Sequence, residues 1–403
     1  MKKLLIINVT ANSGSTGRIA EEIGQTAIDN GYETYLAYGR TANKSKNKLI
    51  RIGNNLNVYL HGIESMLFDN HGFSSRIATK RFIRRIEEIK PDIINIHNIH
   101  GYYINVKILF EYLSKIKIPV VWTFHDCWPF TGHCSHFIKH HCNKWKSECF
   151  SCPNIKGYPK SLLLDKSRTN FKKKKKLFTN IENLTIVSPS IWLSNLVKKS
   201  FFKHKNILTI NNGIDVNIFK PTDNNTDIRS KLNLNDEKII IGVASVWTYS
   251  KGLDDFIKLD EMLSSKYKII LVGLSKKQIS RIPTNIIGIE RTESVQQLAE
   301  LYNIADVFVN PTYADNFPTT NIESLACGTP IITYKTGGSP ESVDNKTGMV
   351  VEQGNLNDLK VAIEKITSNK SKYSDPCRAK AVMLYNKQDR FNDYINLFNS
   401  LLK

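Results

Sequence analysis

A chain of 403 residues exceeds one ordinary hydrophobic core and predicts two domains. Its hydrophobic content of 41% is that of a globular protein, and no run approaches the roughly 20 apolar residues of a membrane span. Lys and Arg number 56 against 37 Asp and Glu, and the net charge of +19 favours anionic partners: nucleic acid, an anionic membrane surface or phosphorylated substrates.

The first eight residues imitate a charged leader. Their apolar part is short and Asn12-Ser-Gly follows, so Leu4–Val9 reads as a first strand. The turn Asn12–Gly17 and the helical spacing of Ile19, Ala20, Ile23 and Ala27 complete a strand, glycine loop and helix, the opening of a doubly wound sheet. Gly14 and Gly17 would let a backbone approach a phosphate, although the full dinucleotide fingerprint is absent. Strands are predicted at Thr34–Tyr38, Asp92–Ile96 and Pro119–Phe124, and helices at Ala78–Ile89 and Val106–Ile116. His97 and His100 close one strand, either as ligands or cleft residues or, in the favoured reading, as ordinary polar residues of a strand end. His125 and Asp126 close the next, where side chains face the ligand crevice of a parallel sheet.

An insertion over about residues 127–160 holds Cys134, Cys142, Cys149 and Cys152, interleaved with histidines. Cys149-Phe-Ser-Cys152 has the spacing of half a tetrahedral zinc site, whereas the first pair is wider than a standard ribbon. Seven cysteines without secretory context are expected to be reduced in a cytoplasmic chain, which favours metal over disulfides; unbound thiols are the third possibility. Zinc here would be structural, closing a segment with little apolar core. The helix predicted over Asp165–Ile181 carries Lys172 to Lys176. These point all round it, giving either a solvated helix or an attraction to an anionic membrane surface or lipid diphosphate.

A strand at Leu184–Val187, a helix from Ser190 and a strand at Ile207–Ile210 end the first half, and Pro221–Asp227 reads as a connector. The alternation then repeats: Lys238–Val246, a loop with Lys251-Gly252, a helix from Leu253, then strands at Lys268–Val272 and Ile286–Ile289, and a helix at Val295–Ile304. Val307–Val309 is a buried strand. Asp315 lies in the loop after it, Pro318 starts a helix that carries Glu323, and Gly328 and Pro330 stop it. The first N–H groups of that helix, Thr319, Thr320 and Asn321, favour an anion, and the two carboxylates can accept hydrogen bonds from hydroxyls. A nucleotide-sugar offers both. Thr336-Gly-Gly-Ser makes a further loop, Thr347–Val351 a last strand, and the remaining chain is helical.

Asp315, seven residues and Glu323, within Asn316-Phe-Pro-Thr-Thr320 and Glu323-Ser-Leu-Ala-Cys-Gly-Thr-Pro330, resemble the acidic signature of the retaining two-domain glycosyltransferases of family 4. The resemblance covers nearly the whole chain. His125-Asp-Cys-Trp-Pro-Phe-Thr-Gly-His-Cys134 with Cys149-x-x-Cys-Pro153 is similar to a subgroup from capsule and exopolysaccharide clusters. It implies an α/β GT-B fold of two Rossmann-like domains: residues 1–215 for the acceptor, 216–380 for the donor, and a helix over 381–403 crossing back. The implied reaction moves a sugar from a nucleotide-sugar to a saccharide or lipid-linked acceptor, without a catalytic metal. His125, Lys251 and Asp315 would be catalytic, with Lys251 neutralising the leaving diphosphate and Asp315 meeting sugar hydroxyls. Glu323 would bind the ribose, and Gly14, Gly17, Phe317, Pro318, Thr319, Thr320 and Gly338 would line the donor site, with the amides of Phe317, Thr319 and Thr320 round its oxygens. The family usually has Glu where Asp315 stands, so the carboxylate retreats by roughly 1.5 Å, one carbon–carbon bond. It usually has Arg where Val246 stands; Arg281 and Arg291 are the substitutes on offer. The implied location is cytoplasmic, at the inner face of a membrane. Rivals are an epimerase or phosphorylase on the same architecture and a basic, zinc-stapled nucleic-acid-binding protein. The spread of the basic residues and the missing RNA-reading signatures count against the last.

Overall fold

The computed structural model describes residues 1–222 and 226–403; residues 223–225 of the predicted connector lie outside the described residues. The chain forms two compact units, residues 1–211 with 391–403, and residues 212–390. The division falls inside the last helix, Lys387–Leu401.

The first unit is built on seven parallel strands: β1 (Lys3–Asn8), β2 (Glu33–Tyr38), β3 (Lys48–Arg51), β4 (Ile93–Ile96), β5 (Val120–Thr123), β6 (Leu184–Ser188) and β7 (Asn206–Thr209), in the order β3-β2-β1-β4-β5-β6-β7. The apolar run of β1 shows why. Leu4, Leu5, Ile6 and Ile7 are all fully buried. Leu5 and Ile7 join the core on one face, whereas Leu4 and Ile6 pack with helix Gly14–Asp29 and with Phe391, Tyr394, Ile395 and Phe398 of the last helix on the other. A strand covered on both faces needs an unbroken apolar sequence, and each such side chain contributes about 1.5–3 kcal/mol.

The second unit has six parallel strands: β8 (Lys238–Val243), β9 (Tyr267–Val272), β10 (Ile286–Ile289), β11 (Val307–Asn310), β12 (Ile331–Tyr334) and β13 (Gly348–Val351), in the order β10-β9-β8-β11-β12-β13. Each sheet therefore reverses its winding once, between β1 and β4 and between β8 and β11. Loops at the carboxyl ends of such strand pairs are where ligands of open α/β sheets bind.

Several elements escape the sequence reading, among them the short helices Thr226–Lys231 and Lys276–Ile279. Edge strand β3 is largely exposed, and helix Asn55–Phe68 leaves Leu56, Tyr59, Leu60 and Phe68 exposed. One prediction is overturned outright. Lys174 of the lysine run is fully buried on helix Ser167–Thr179. Its ammonium donates to the carbonyls of Trp128 (2.9 Å) and Thr131 (3.2 Å) and lies 3.4 Å from the Trp128 ring centre. Lys172 pairs with Glu148 at 2.9 Å. The run is thus not uniformly solvated, because one helical face, with Asn170, Phe171 and Phe178, turns inward.

Candidate functional site

In the second unit, β8 and β11 deliver two facing loops. Lys251 ends a single 3₁₀ turn, Tyr249–Lys251, and Gly252 follows at φ +75°. A Cβ at Gly252 would stand 2.3 Å from the Pro311 carbonyl oxygen, so the loops meet this closely only through glycine. The result is an ion pair: Lys251 Nζ donates to Asp315 Oδ2 at 2.7 Å. Neither side chain is fully buried, so the pair stays open to a ligand.

Asp315 is held from behind. Its carbonyl accepts from Gly338 N at 3.2 Å, and a Cβ at Gly337 would come within 1.8 Å of the same oxygen. Gly337-Gly338 therefore support the Asp315 loop, and the Gly338 N–H is directed to that loop. Phe317 N donates to Asp315 Oδ1 at 3.2 Å, which corrects its expected role as a donor towards a ligand; the Phe317 ring is buried against Tyr385. Pro318 is the cap preceding helix Thr319–Ala326, not its first residue, and Asn321 N returns to the Pro318 carbonyl at 3.2 Å. Of the anticipated helix-end donors, Asn321 is thus removed; Thr319 and Thr320 have no helical carbonyl upstream. Asn321, Ile322, Ser324, Leu325 and Ala326 are fully buried, so the open face of this helix consists of Thr319, Thr320 and Glu323. Thr319 and Glu323, four residues apart, stand one above the other. Glu323 Oε2 accepts from the buried Tyr302 hydroxyl at 3.2 Å.

A polar network that the sequence did not disclose fixes this geometry. Asn321 Nδ2 donates to Ser339 Oγ (3.1 Å) and Ser342 Oγ (2.9 Å), and Asn321 Oδ1 accepts from Asn310 Nδ2 (2.7 Å). Such a buried, satisfied network joins strand, helix and glycine loop into one rigid block. Val246 is 65% exposed, and Arg281 and Arg291 are exposed as well; among the described residues Lys251 is the cation that reaches Asp315.

In the first unit, the loops after β1 and β4 are tied by Asn98 N donating to Asn8 Oδ1 at 3.2 Å. Gly14 opens its helix at φ +67° with free space where a Cβ would project, whereas a Cβ on Gly17 would meet Thr10 Oγ1 at 2.5 Å. Gly17 has an internal packing reason to be glycine; Gly14 is the one with open space before it.

The sequence reading of His97 and His100 as ordinary polar residues is corrected, since both are buried in ordered chains. Asn95 Nδ2 donates to the Val121 carbonyl at 3.0 Å, which turns its Oδ1 to His97 Nε2 at 2.8 Å. A neutral His97 then carries its proton on Nε2, and its Nδ1 accepts from His125 Nε2 at 2.9 Å. The rings stack at 5.2 Å. Burial pushes His125 down to about 4 and His97 well below the usual imidazole value, so both are neutral near pH 7. His100 Nε2 contacts Asp126 Oδ2 at 2.7 Å. Burial alone would raise the Asp126 carboxyl, but the His100 contact and the Trp128 N–H hold it at about 2.

In the insertion, all seven cysteines of the chain being free thiols, Cys134, Cys142, Cys149 and Cys152 line one small cavity together with His133 and Trp145.

A pair of doubly wound, all-parallel sheets, with a cation, two acids and helix amides at one switch point, is an α/β architecture whose ligands bind at the carboxyl ends of the strands. Comparison with known proteins agrees. The model of "Glycosyltransferase Family 4" matches residues 16–218, and that of "Glycosyl transferases group 1" matches residues 224–381. The chain belongs to this glycosyltransferase family. It is 22% identical to the putative colanic acid biosynthesis glycosyl transferase WcaC of Escherichia coli (strain K12), over 99% of this chain and 100% of that protein. Among solved structures it is similar to sucrose-phosphate synthase from Thermosynechococcus elongatus, with a TM-score of 0.74, 16% identity, and coverage of 100% of this chain and 99% of that one. It is also similar to Anabaena Alr3699/HepE in complex with UDP and glucose, with a TM-score of 0.70, 13% identity, and coverage of 99% and 100%. The fold is α/β of the GT-B type.

Proposed function

We propose that this glycosyltransferase takes a sugar from a nucleotide-sugar and passes it, with retention of anomeric configuration, to a saccharide or lipid-linked saccharide during assembly of a capsular or exopolysaccharide. The observation that carries the reading is the Lys251–Asp315 pair beside the open face of helix Thr319–Ala326. A leaving diphosphate gathers negative charge, and a positioned ammonium with two helix amides meets that charge without a metal. In this reading Lys251 and the N–H groups of Thr319 and Thr320 face the diphosphate, Asp315 accepts from sugar hydroxyls and Glu323 from the ribose. His125, neutral, positions a hydroxyl. UDP and glucose in the HepE structure and the colanic acid route in the WcaC name support a nucleotide-sugar donor and a polysaccharide product.

No helix among the described residues is long and apolar enough to cross a membrane. An anionic membrane surface is a proposed contact for the exposed Lys173, Lys175 and Lys176. The test is transfer from a panel of UDP- and GDP-sugars, with the product anomer assigned by NMR. Retention from one donor is expected. An inverted product, or release of an epimerised donor without any acceptor, would overturn the proposal.

A further inference from the structure

We infer that the insertion of the first unit is a structural zinc module in which Cys134, Cys142, Cys149 and Cys152 hold one ion and the buried Lys174 supplies its countercharge. The four thiols line a single cavity. They face the same cavity, walled also by Phe137 and Trp145, and so surround one space and not two. Gly132 N also donates to Cys149 Sγ at 3.3 Å, which fixes that sulfur at the cavity wall. Residues 127–152 contain three single 3₁₀ turns and no strand, and their apolar packing is chiefly Phe130, Phe137 and Trp145. Such a segment gains its order from a cross-link.

Charge provides an independent argument. The Lys174 ammonium is fully buried, and its hydrogen-bond acceptors are two neutral carbonyls. Burial pushes this ammonium well down, since a buried charge costs several kcal/mol, and the Asp69 and Asp126 carboxylates offset part of that cost. Zinc with four thiolates carries two net negative charges, and Lys174 already lies within electrostatic reach of Cys149 and Cys134, as of Asp69 and Asp126. A module that binds zinc therefore adds countercharge beside a buried lysine that Asp69 and Asp126 balance in part.

A competing set exists nearby. Asp69, His71 and His133 are buried with donor atoms within 4.8 Å of one another. Hydrogen bonding argues against a metal there. The Trp128 indole can only donate, and it donates to His71 Nδ1 at 2.8 Å, so the proton of neutral His71 is on Nε2, the atom facing Asp69. Asp69 Oδ1 in turn holds His133 Nδ1 at 2.6 Å. This leaves His133 Nε2 buried without a protein partner, on a residue that lines the cysteine cavity. An orphaned buried nitrogen of this kind calls for an ordered water or an ion beside it. Among the described residues the sulfurs do not form a set within 4.8 Å, so the ion would draw them inward.

The experiment is elemental analysis of the full-length chain together with thiol titration, which needs no transferase activity and so stands apart from the proposed reaction. One equivalent of zinc per chain is expected, with four thiols protected until a chelator is added. Replacement of zinc by cobalt is expected to give the intense sulfur-to-metal absorption of a tetrahedral thiolate site. Lys174→Met is expected to weaken zinc retention in a chelator competition at least tenfold, whereas Lys173→Met leaves it unchanged. Zinc-free protein with four reactive thiols, two disulfides in non-reducing mass analysis, or zinc retained in full by Cys149→Ser/Cys152→Ser would each overturn the inference. Should that double variant fail to fold, cobalt bound to the intact chain without thiolate absorption contradicts it equally.

Discussion

The two units share a doubly wound parallel sheet, yet they fill the same position of that fold with opposite chemistry. All ten histidines of the chain lie at or before residue 204, in the first unit; residues 212–390 contain none. Near the β1–β4 reversal the first unit places a buried and a half-buried imidazole, linked to one another and to an asparagine. At the β8–β11 reversal the second unit places an ammonium, two carboxylates and helix amides. A neutral chain can orient a hydroxyl without repelling it, whereas a charged cluster can hold a diphosphate. The fold supplies the position, and the side chains at the strand ends decide what is held there.

The largest expected effect breaks the charged side of this contrast. Lys251→Ala should lower the turnover number by about 10²–10³-fold, the loss typical of a missing transition-state donor, with an unchanged melting temperature. Steady-state kinetics beside calorimetry checks it. A fall in melting temperature of equal weight would instead make the lysine a structural strut.

Acid separates the units next. His61 and His125 are both held down to about 4 by burial, and His71 to about 3. The unfolded chain takes up protons near pH 6.5, before these folded side chains do, so their share of stability is intact above pH 6.5 and is lost as pH falls towards 4. Each fully expressed shift of this size is worth up to about 3 kcal/mol. Pulse proteolysis between pH 7 and pH 4.5 should therefore find cleavage rising first in residues 1–211. Earlier cleavage within residues 226–390 would reverse the contrast.

Gly252→Ala probes the closeness of the two loops in the second unit. Its positive φ and the Pro311 carbonyl predict a loss of about 1–3 kcal/mol in urea unfolding, accompanied by a weaker Lys251–Asp315 pair and slower transfer. Asn95→Leu has the smallest effect. It releases the His97 tautomer and so the orientation of His125, and turnover should fall about tenfold with an altered pH profile. An unchanged profile would make Asn95 merely a core residue.

Much of this was legible in sequence, for local reasons. Runs such as Leu4–Ile7 and Val307–Val309 are strands because parallel sheets are apolar on both faces. Asp315, Pro318 and Glu323 declare a loop and a helix by their own chemistry. What escaped depends on neighbours distant in sequence. β3 is an exposed edge with two charged residues in four, so it lacks the signal of a buried strand. His97 meets His125 only because β4 lies beside β5. Lys174 hides in a lysine run; its spacing from Asn170, Phe171 and Phe178 was the available clue to an inward face. Amide assignments failed where side chains intervened, as Asp315 does at Phe317 N.

Donor binding tests the central claim most directly. Calorimetric titration of the chain with UDP- and GDP-sugars should give saturable binding for one of them, weakened at least tenfold in Glu323→Gln with the fold intact. Equal affinity in the variant, or no nucleotide-sugar bound by the native chain, would contradict the assignment of the β8–β11 loops as its seat.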